Sequence, residues 1–263
     1  MKGRILLAAA AVALLITVIL VSVTSVARPG SGRATAGPLV VSGGIPPDPP
    51  PAGPTPVAAG QTGKAPTAPV TDWGAAGRYQ DWANQISAKV PVAARTLAAY
   101  ALGERFVADR NPSCGLSWVT LAAVGAVESA HGRFGGAVVA EDGTSAPAII
   151  GPPLDGSPGV MAIADTDDGQ YDGDTRWDRA VGPMQFLPTT WRTWGVDADG
   201  DGAARPHDID DAAATAAVYL CASTSTMTTG PGWWAAITTY NRSETYARDV
   251  LERSNEYAKT SLR

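Results

Sequence analysis

Apolar residues along most of this chain recur at helical rather than strand spacing. Between Leu116 and Val127, Trp118, Leu121, Val124 and Val127 fall at three-residue steps and, with Leu116 and Ala122, suit a mostly buried helix. Gly125 and Gly132 bracket the end of that run, and Gly132 is placed to stop it. Upstream, Trp82, Ile86 and Val90 mark one face of a helix beginning near Tyr79. Pro91 then opens a second helix at its first position, continued by Leu97, Tyr100 and Ala101. Further helices are predicted over 210–222 and 233–239, and a last one from Glu244 with Ser243 as its N-cap. Strand signals are confined to A-P-A-I-I and P-G-V-M-A-I between residues 146 and 164, inside a Gly/Pro-rich stretch. The fold class this pattern predicts is mainly α.

Two N-terminal regions break the pattern. Residues 1–27 hold an uncharged apolar run from Ile5 to Val26 behind Lys2 and Arg4, either a signal peptide or a retained transmembrane anchor. Ser25-Val26-Ala27 offers a small-x-small cleavage site, but the run is long for a cleaved signal, and the positive charge ahead of it places the bulk of the chain outside the cytoplasm. Residues 28–72 are rich in Pro, Gly and Ala with almost no large apolar side chain, a composition that cannot bury enough surface to fold and reads as a disordered tether. The expected folded domain is 73–263, within the usual size of a single domain. Residues 1–70 hold five of the 20 basic residues and one of the 25 acidic ones, so the remainder carries 15 basic against 24 acidic, a formal charge of −9. Such a surface is a poor match for nucleic acid, whose phosphates need a basic footprint.

One carboxyl group stands out chemically. Glu128 falls in the last turn of the predicted 116–127 helix, where carbonyl ends present partial negative charge, and Leu121 and Val124 share its face. Both effects disfavour the ionised form, and a carboxylic acid that keeps its proton near neutral pH can protonate a leaving oxygen. The plain alternative is a Glu that ends a helix in solvent. The strings around it, E-S-A-H-G-R-F-G-G and, about fifty residues on, G-P-M-Q-F, argue for a site.

These strings belong to a larger set. A-V-E-S-A-H-G-R at 126–133, A-V-G-P-M-Q-F-L-P-T-T-W at 180–191, G-V-D-A-D-G-D-G at 195–202, D-A-A-A-T-A-A-V-Y-L-C at 211–221 and T-Y-N-R-S-E-T-Y at 239–246 occur in one order. In this the chain resembles the lytic murein transglycosylases of the soluble and membrane-bound B type, which have a lysozyme-like fold. The resemblance implies a lysozyme-like helical domain in which Glu128 is the single catalytic acid and base, acting on peptidoglycan glycan strands. It implies further that Gln185 holds a sugar or acetamido group, that Met184 and Phe186 contact the ring, that Tyr240 and Asn241 are the pair facing the catalytic Glu, and that Tyr246 is a further aromatic of the cleft. Ser129 would orient Glu128, and His131 would be a surface or structural residue rather than a base. The implied reaction cleaves the β-1,4 bond between N-acetylmuramic acid and N-acetylglucosamine and closes a 1,6-anhydromuramoyl end, with no cofactor required for the chemistry. The chain departs from the Gram-negative pattern in D-T-R-W-D-R-A-V before Gly182 and in the long insertion between Glu128 and Gln185, both of which bear on the sugar subsites. Its Ala-, Gly- and Arg-rich composition has an actinobacterial look. Two rivals remain open: a lysozyme- or chitinase-like hydrolase with a second carboxylate such as Asp178, and an inactive membrane-tethered glycan-binding protein. Cell-wall synthesis or division proteins are further expected partners.

Cysteine and aspartate usage add two structural expectations. Cys114 and Cys221 are the only cysteines, and an even pair in an exported protein reads as a disulfide, against two independent buried thiols. In D-A-D-G-D-G-A-A-R-P-H-D-I-D-D at 197–211, Asp197, Asp199 and Asp201 take positions one, three and five of an EF-hand-like loop. Gly202 makes the turn and Ala203 offers its carbonyl. Position twelve is Asp208, whereas the B-type resemblance implies closure at position fifteen, Asp211. A structural Ca²⁺ or Na⁺ is expected there. A second acidic stretch, Asp165 to Asp174, reads as a surface turn before it reads as an ion site.

Overall fold

The computed structural model describes residues 48–57 and 73–263. The expected signal or anchor segment lies outside them, and among the described residues no helix is long and apolar enough to cross a membrane. The domain is mainly helical: a 3-10 turn at Gly74–Tyr79 leads into α1 (Gln80–Ser87), α2 (Ala94–Arg110), α3 (Trp118–Ser129), α4 (Pro188–Trp194), α5 (Ile209–Ala222), α6 (Gly230–Tyr240) and α7 (Glu244–Ser261). Four short strands, β1 (Val138–Val139), β2 (Ser145–Ala146), β3 (Ile150–Pro153) and β4 (Arg179–Val181), form two antiparallel pairs between α3 and α4.

The helices associate where their small residues face one another. α2 packs chiefly on α5, which is rich in buried alanines (212–214, 216 and 217), and Gly103 of α2 lies so close to the Ala213 backbone that a Cβ there would stand 2.9 Å from its carbonyl oxygen, a surface that admits close helix approach. A bidentate ion pair spans this interface, Arg95 Nη1 and Nη2 donating to the Asp210 carboxylate at 2.9 and 2.6 Å. α3 is apolar on nearly every face and packs on both α2 and α7. The Cys114–Cys221 disulfide joins the segment before α3 to the end of α5 across 107 residues.

Several boundaries differ from expectation. α2 begins at Ala94 rather than at Pro91, which lies in the preceding turn. The 116–127 helix stops at Ser129, three residues short of Gly132, because Ala130 and His131 already adopt left-handed backbone (φ 52° and 64°). Of the expected strands, A-P-A-I-I is split between β2 and β3, while P-G-V-M-A-I makes only the isolated bridge Asp155↔Ala162. α4 has seven residues, too short for a periodic apolar signal, and starts with Pro188 at its first turn. The expected tether is described only at 48–57, and there it lies against the domain: the buried Trp118 indole N–H donates to the Pro54 carbonyl at 3.0 Å. A buried indole needs an acceptor, and a proline-rich segment loses little entropy in supplying one.

Candidate active site

α3 delivers Glu128 to the surface of the core in its last turn, half-buried among apolar neighbours. Its Oε1 accepts a hydrogen bond of 2.6 Å from the Tyr246 hydroxyl. Burial pushes the carboxyl up to about 7, and the Tyr246 hydroxyl opposes part of that rise by stabilising the ionised form. No second carboxylate among the described residues contributes to the shift. Tyr246 owes its place to the start of α7: Ser243 Oγ caps the helix by accepting from the Tyr246 backbone N–H, which sets that residue in the first turn facing α3.

The chain turns sharply behind Glu128. Ala130, His131 and Gly132 are successive left-handed residues, and for the first two this conformation costs on the order of 1–2 kcal/mol each. Packing holds the turn in place. His131 is buried, its Nδ1 3.1 Å from the Tyr100 hydroxyl and its Nε2 2.9 Å from the Tyr257 hydroxyl. Burial, with help from Arg133 and Arg253, pushes the imidazole down to about 3, so it is neutral, with one ring nitrogen donating and the other accepting. His131 is therefore a structural residue of the interior, not of the surface.

The G-P-M-Q-F loop lies beside this turn and is tied to it from two sides. Ser129 Oγ donates to the Pro183 carbonyl at 2.6 Å and accepts from the Gly132 N–H at 2.8 Å. From α6, the Tyr240 hydroxyl donates to the Met184 carbonyl at 2.8 Å. Gly182 is obligatory here: its φ is 76°, and a Cβ would stand 1.7 Å from the Pro206 carbonyl oxygen. Gln185 also has left-handed backbone (φ 50°), and its Nε2 donates to the Gly182 carbonyl at 2.9 Å.

The expected site residues thus divide by position. Tyr246 touches Glu128 directly, whereas Tyr240 serves the loop, with the Glu128 carboxylate close enough to raise its hydroxyl further above an already buried value. Ser129 makes no bond to Glu128 and fixes the loop instead. The side chains of Met184 and Phe186 are buried, Met184 completely and Phe186 among Trp191, Tyr219 and Tyr240, so both pack into the core beneath the loop. Asn241 ends α6 and accepts from the Ser243 N–H. Asp178, the second carboxylate of the hydrolase reading, is fully buried with both oxygens accepting from Thr166. Sequence reasoning missed the Pro183 carbonyl and the Tyr100–His131–Tyr257 chain, which depend on tertiary packing. A cavity of about 220 Å³ lined by Pro49, Pro50, Ser117, Thr120, Met227 and Trp233 lies at the opposite end of α3, roughly 12–16 Å from Glu128 at 1.5 Å per residue, and is no part of this site.

In the 197–211 loop, Asp197, Asp199 and Asp211 each bring a carboxylate oxygen within 4.8 Å of the others. Asp201 is turned to Arg205, and the Ala203 carbonyl also faces that guanidinium. Asp208 caps α5 and belongs to a second group with Asp199 and Asp210. Three hard oxygen donors suit Ca²⁺ or Na⁺, and burial holds the Asp211 carboxyl up to about 7 without such a charge.

Residues 161–233 match the family model described as "Transglycosylase SLT domain", a stretch that takes in the 182–186 loop, the 197–211 loop and α5 but not Glu128 or Tyr246. None of the curated proteins matches the chain. Solved structures similar to it include the Escherichia coli lytic transglycosylase Slt35 in complex with calcium, at 14% identity, covering 70% of this chain and 80% of that one with a TM-score of 0.38. Pseudomonas aeruginosa SltB3 in complex with NAG-anhNAM-pentapeptide has 15% identity, covers 71% and 67%, and gives a TM-score of 0.40. Soluble lytic transglycosylase SltB1 from the same organism has 16% identity, covers 75% and 86%, and also gives 0.40.

Proposed function

We propose that this chain, which carries a transglycosylase SLT domain, is a peptidoglycan lytic transglycosylase with Glu128 as its single acid and base. It cleaves the β-1,4 bond between N-acetylmuramic acid and N-acetylglucosamine from a lysozyme-like helical scaffold. Glu128 enters the reaction protonated and passes its proton to the glycosidic oxygen as the C1–O bond breaks. The substrate's own N-acetyl group stabilises the oxocarbenium-like centre. Glu128, now ionised, removes the proton from the C6 hydroxyl of the muramoyl residue, and that oxygen bonds to C1 to close the 1,6-anhydro ring. No water enters, and Glu128 ends as it began. Tyr246 keeps the carboxyl aimed, while Gln185, rotated out of its bond to Gly182, meets the sugar.

The observation that carries this reading is a carboxyl held protonated to near neutral pH by burial, with one hydroxyl at 2.6 Å and no carboxylate partner. A hydrolase acting on an inserted water or through a covalent intermediate needs two carboxyl groups flanking the bond. The burial of Asp178 argues against that role for it. The three converging aspartates of the 197–211 loop would hold a structural Ca²⁺ or Na⁺, with no part in the chemistry. The disulfide favours action outside the cytoplasm, with residues 1–27 as a membrane anchor or a cleaved export signal. Mass spectrometry of digested cell wall tests the reaction: fragments one water lighter than reducing-end sugars support it, and reducing ends alone overturn it in favour of a hydrolase.

A further inference from the structure

The insertion between β3 and β4 contains an acidic cluster separate from the 197–211 loop. Asp165, Asp167 and Asp178 each bring a carboxylate oxygen within 4.8 Å of the other two. They come from two ends of one segment: Asp165 and Asp167 follow the isolated bridge Ala164↔Trp177, and Asp178 lies just beyond its other side, immediately before β4. Two of them accept hydrogen bonds from neighbouring groups. Asp165 Oδ1 accepts from the N–H groups of Asp167 and Gly169, and Asp178 accepts from the N–H and hydroxyl of Thr166.

Asp167 is different. It is only 8% exposed, its Oδ2 accepts from the Tyr171 N–H at 2.8 Å, and its Oδ1 is buried and receives no N–H or hydroxyl donor among the described residues. An orphaned carboxylate oxygen in a buried setting is costly, and here it belongs to a group of three like charges. No side chain among the described residues neutralises them. None of the ion pairs among the described residues involves Asp165, Asp167 or Asp178. Two guanidiniums close to this segment have other partners, Arg179 pairing with Asp174 and Arg192 donating to the Thr166 carbonyl. Oxygen donors only, converging from three side chains with one left open, are the donor set of a hard divalent cation, with water completing its shell.

We propose that Asp165, Asp167 and Asp178 bind a divalent cation of the calcium type, which clamps the 154–178 insertion to the base of β4. Because β4 runs directly into Gly182, such a clamp fixes the insertion relative to the loop that carries Gln185. The inference is independent of the role of Glu128, and each stands or fails without the other.

Calcium titrated into the full chain by calorimetry tests it. Asp165→Asn/Asp167→Asn is expected to bind one Ca²⁺ fewer than the parent chain, and Asp197→Asn/Asp199→Asn is expected to retain one Ca²⁺ that adding the first pair removes. Asparagine still accepts the backbone N–H bonds made by these side chains. Equal stoichiometry in parent and Asp165→Asn/Asp167→Asn overturns the proposal, as does a parent chain that binds no Ca²⁺ at millimolar concentration. A second measurement leaves the ligands intact: Tb³⁺ luminescence excited through tryptophan, in the Asp197→Asn/Asp199→Asn background, is expected to fall with Trp177→Phe. Luminescence unchanged by that substitution places the ion elsewhere and likewise overturns the proposal.

Discussion

Tyr246→Phe removes one oxygen atom from the environment of Glu128 and leaves the ring that fills its place in the core. The lost bond is short, 2.6 Å, and its acceptor is the catalytic carboxyl. A hydrogen bond to a charged group is worth about 1.5–3 kcal/mol, and 1.36 kcal/mol corresponds to one pKa unit, so the Glu128 pKa is expected to rise by about 1–2 units. The sign follows from the direction of donation: the hydroxyl stabilises the ionised carboxylate and holds the group below where burial alone would put it. In the native chain the protonated, active form is lost as pH rises through about 7, which sets the alkaline limb of kcat/KM. In the variant that limb is expected to move to higher pH by the same 1–2 units, while the rate near pH 6 falls on the order of tenfold because the carboxyl is no longer aimed. The assay is solubilisation of purified peptidoglycan from pH 5 to 10. An alkaline limb that stays in place, or moves to lower pH, refutes the argument that Tyr246 tunes Glu128.

Other outcomes follow from the same geometry. Because the folded pKa of Glu128, about 7, lies above its usual 4.5, the folded state holds a proton that the unfolded state releases, and the associated stability is lost as pH rises through 7. Glu128→Gln is therefore expected to match the parent near pH 4 and exceed it above pH 8 by about 1–3 kcal/mol, after allowance for partial exposure, as read by urea unfolding at both pH values. Ser129→Ala breaks both bonds that fasten the end of α3 to the 182–186 loop and is expected to cost about 1–3 kcal/mol and to lower kcat; an unchanged unfolding midpoint contradicts this. Cys114→Ser/Cys221→Ser opens a loop of 107 residues and is expected to cost about 4–5 kcal/mol, a fall in Tm on the order of 10 °C.

The sequence made the helices legible where they were long and one-sided or wholly apolar, as in the run ending at Glu128. Ser243 was legible as a cap because its hydroxyl stands just ahead of an amphipathic stretch, and that cap is what brings Tyr246 to the site. Hidden features were those decided by contacts between distant segments. Nothing local distinguishes Tyr240, which serves the loop, from Tyr246, which touches the acid. The stop at Ala130 was hidden for the same reason, since a left-handed alanine and histidine persist only because Tyr100 and Tyr257 grip the imidazole. Met184 and Phe186 sit in a motif that the resemblance assigns to the sugar cleft, yet as large apolar side chains they follow the stronger rule and enter the core.

The most direct test of the account is turnover by Glu128→Gln, measured as release of soluble fragments from purified peptidoglycan alongside circular dichroism and co-sedimentation with the wall. The account predicts a folded protein that still sediments with peptidoglycan and releases no anhydromuramoyl fragments. A variant that is folded and bound and continues to release them contradicts it.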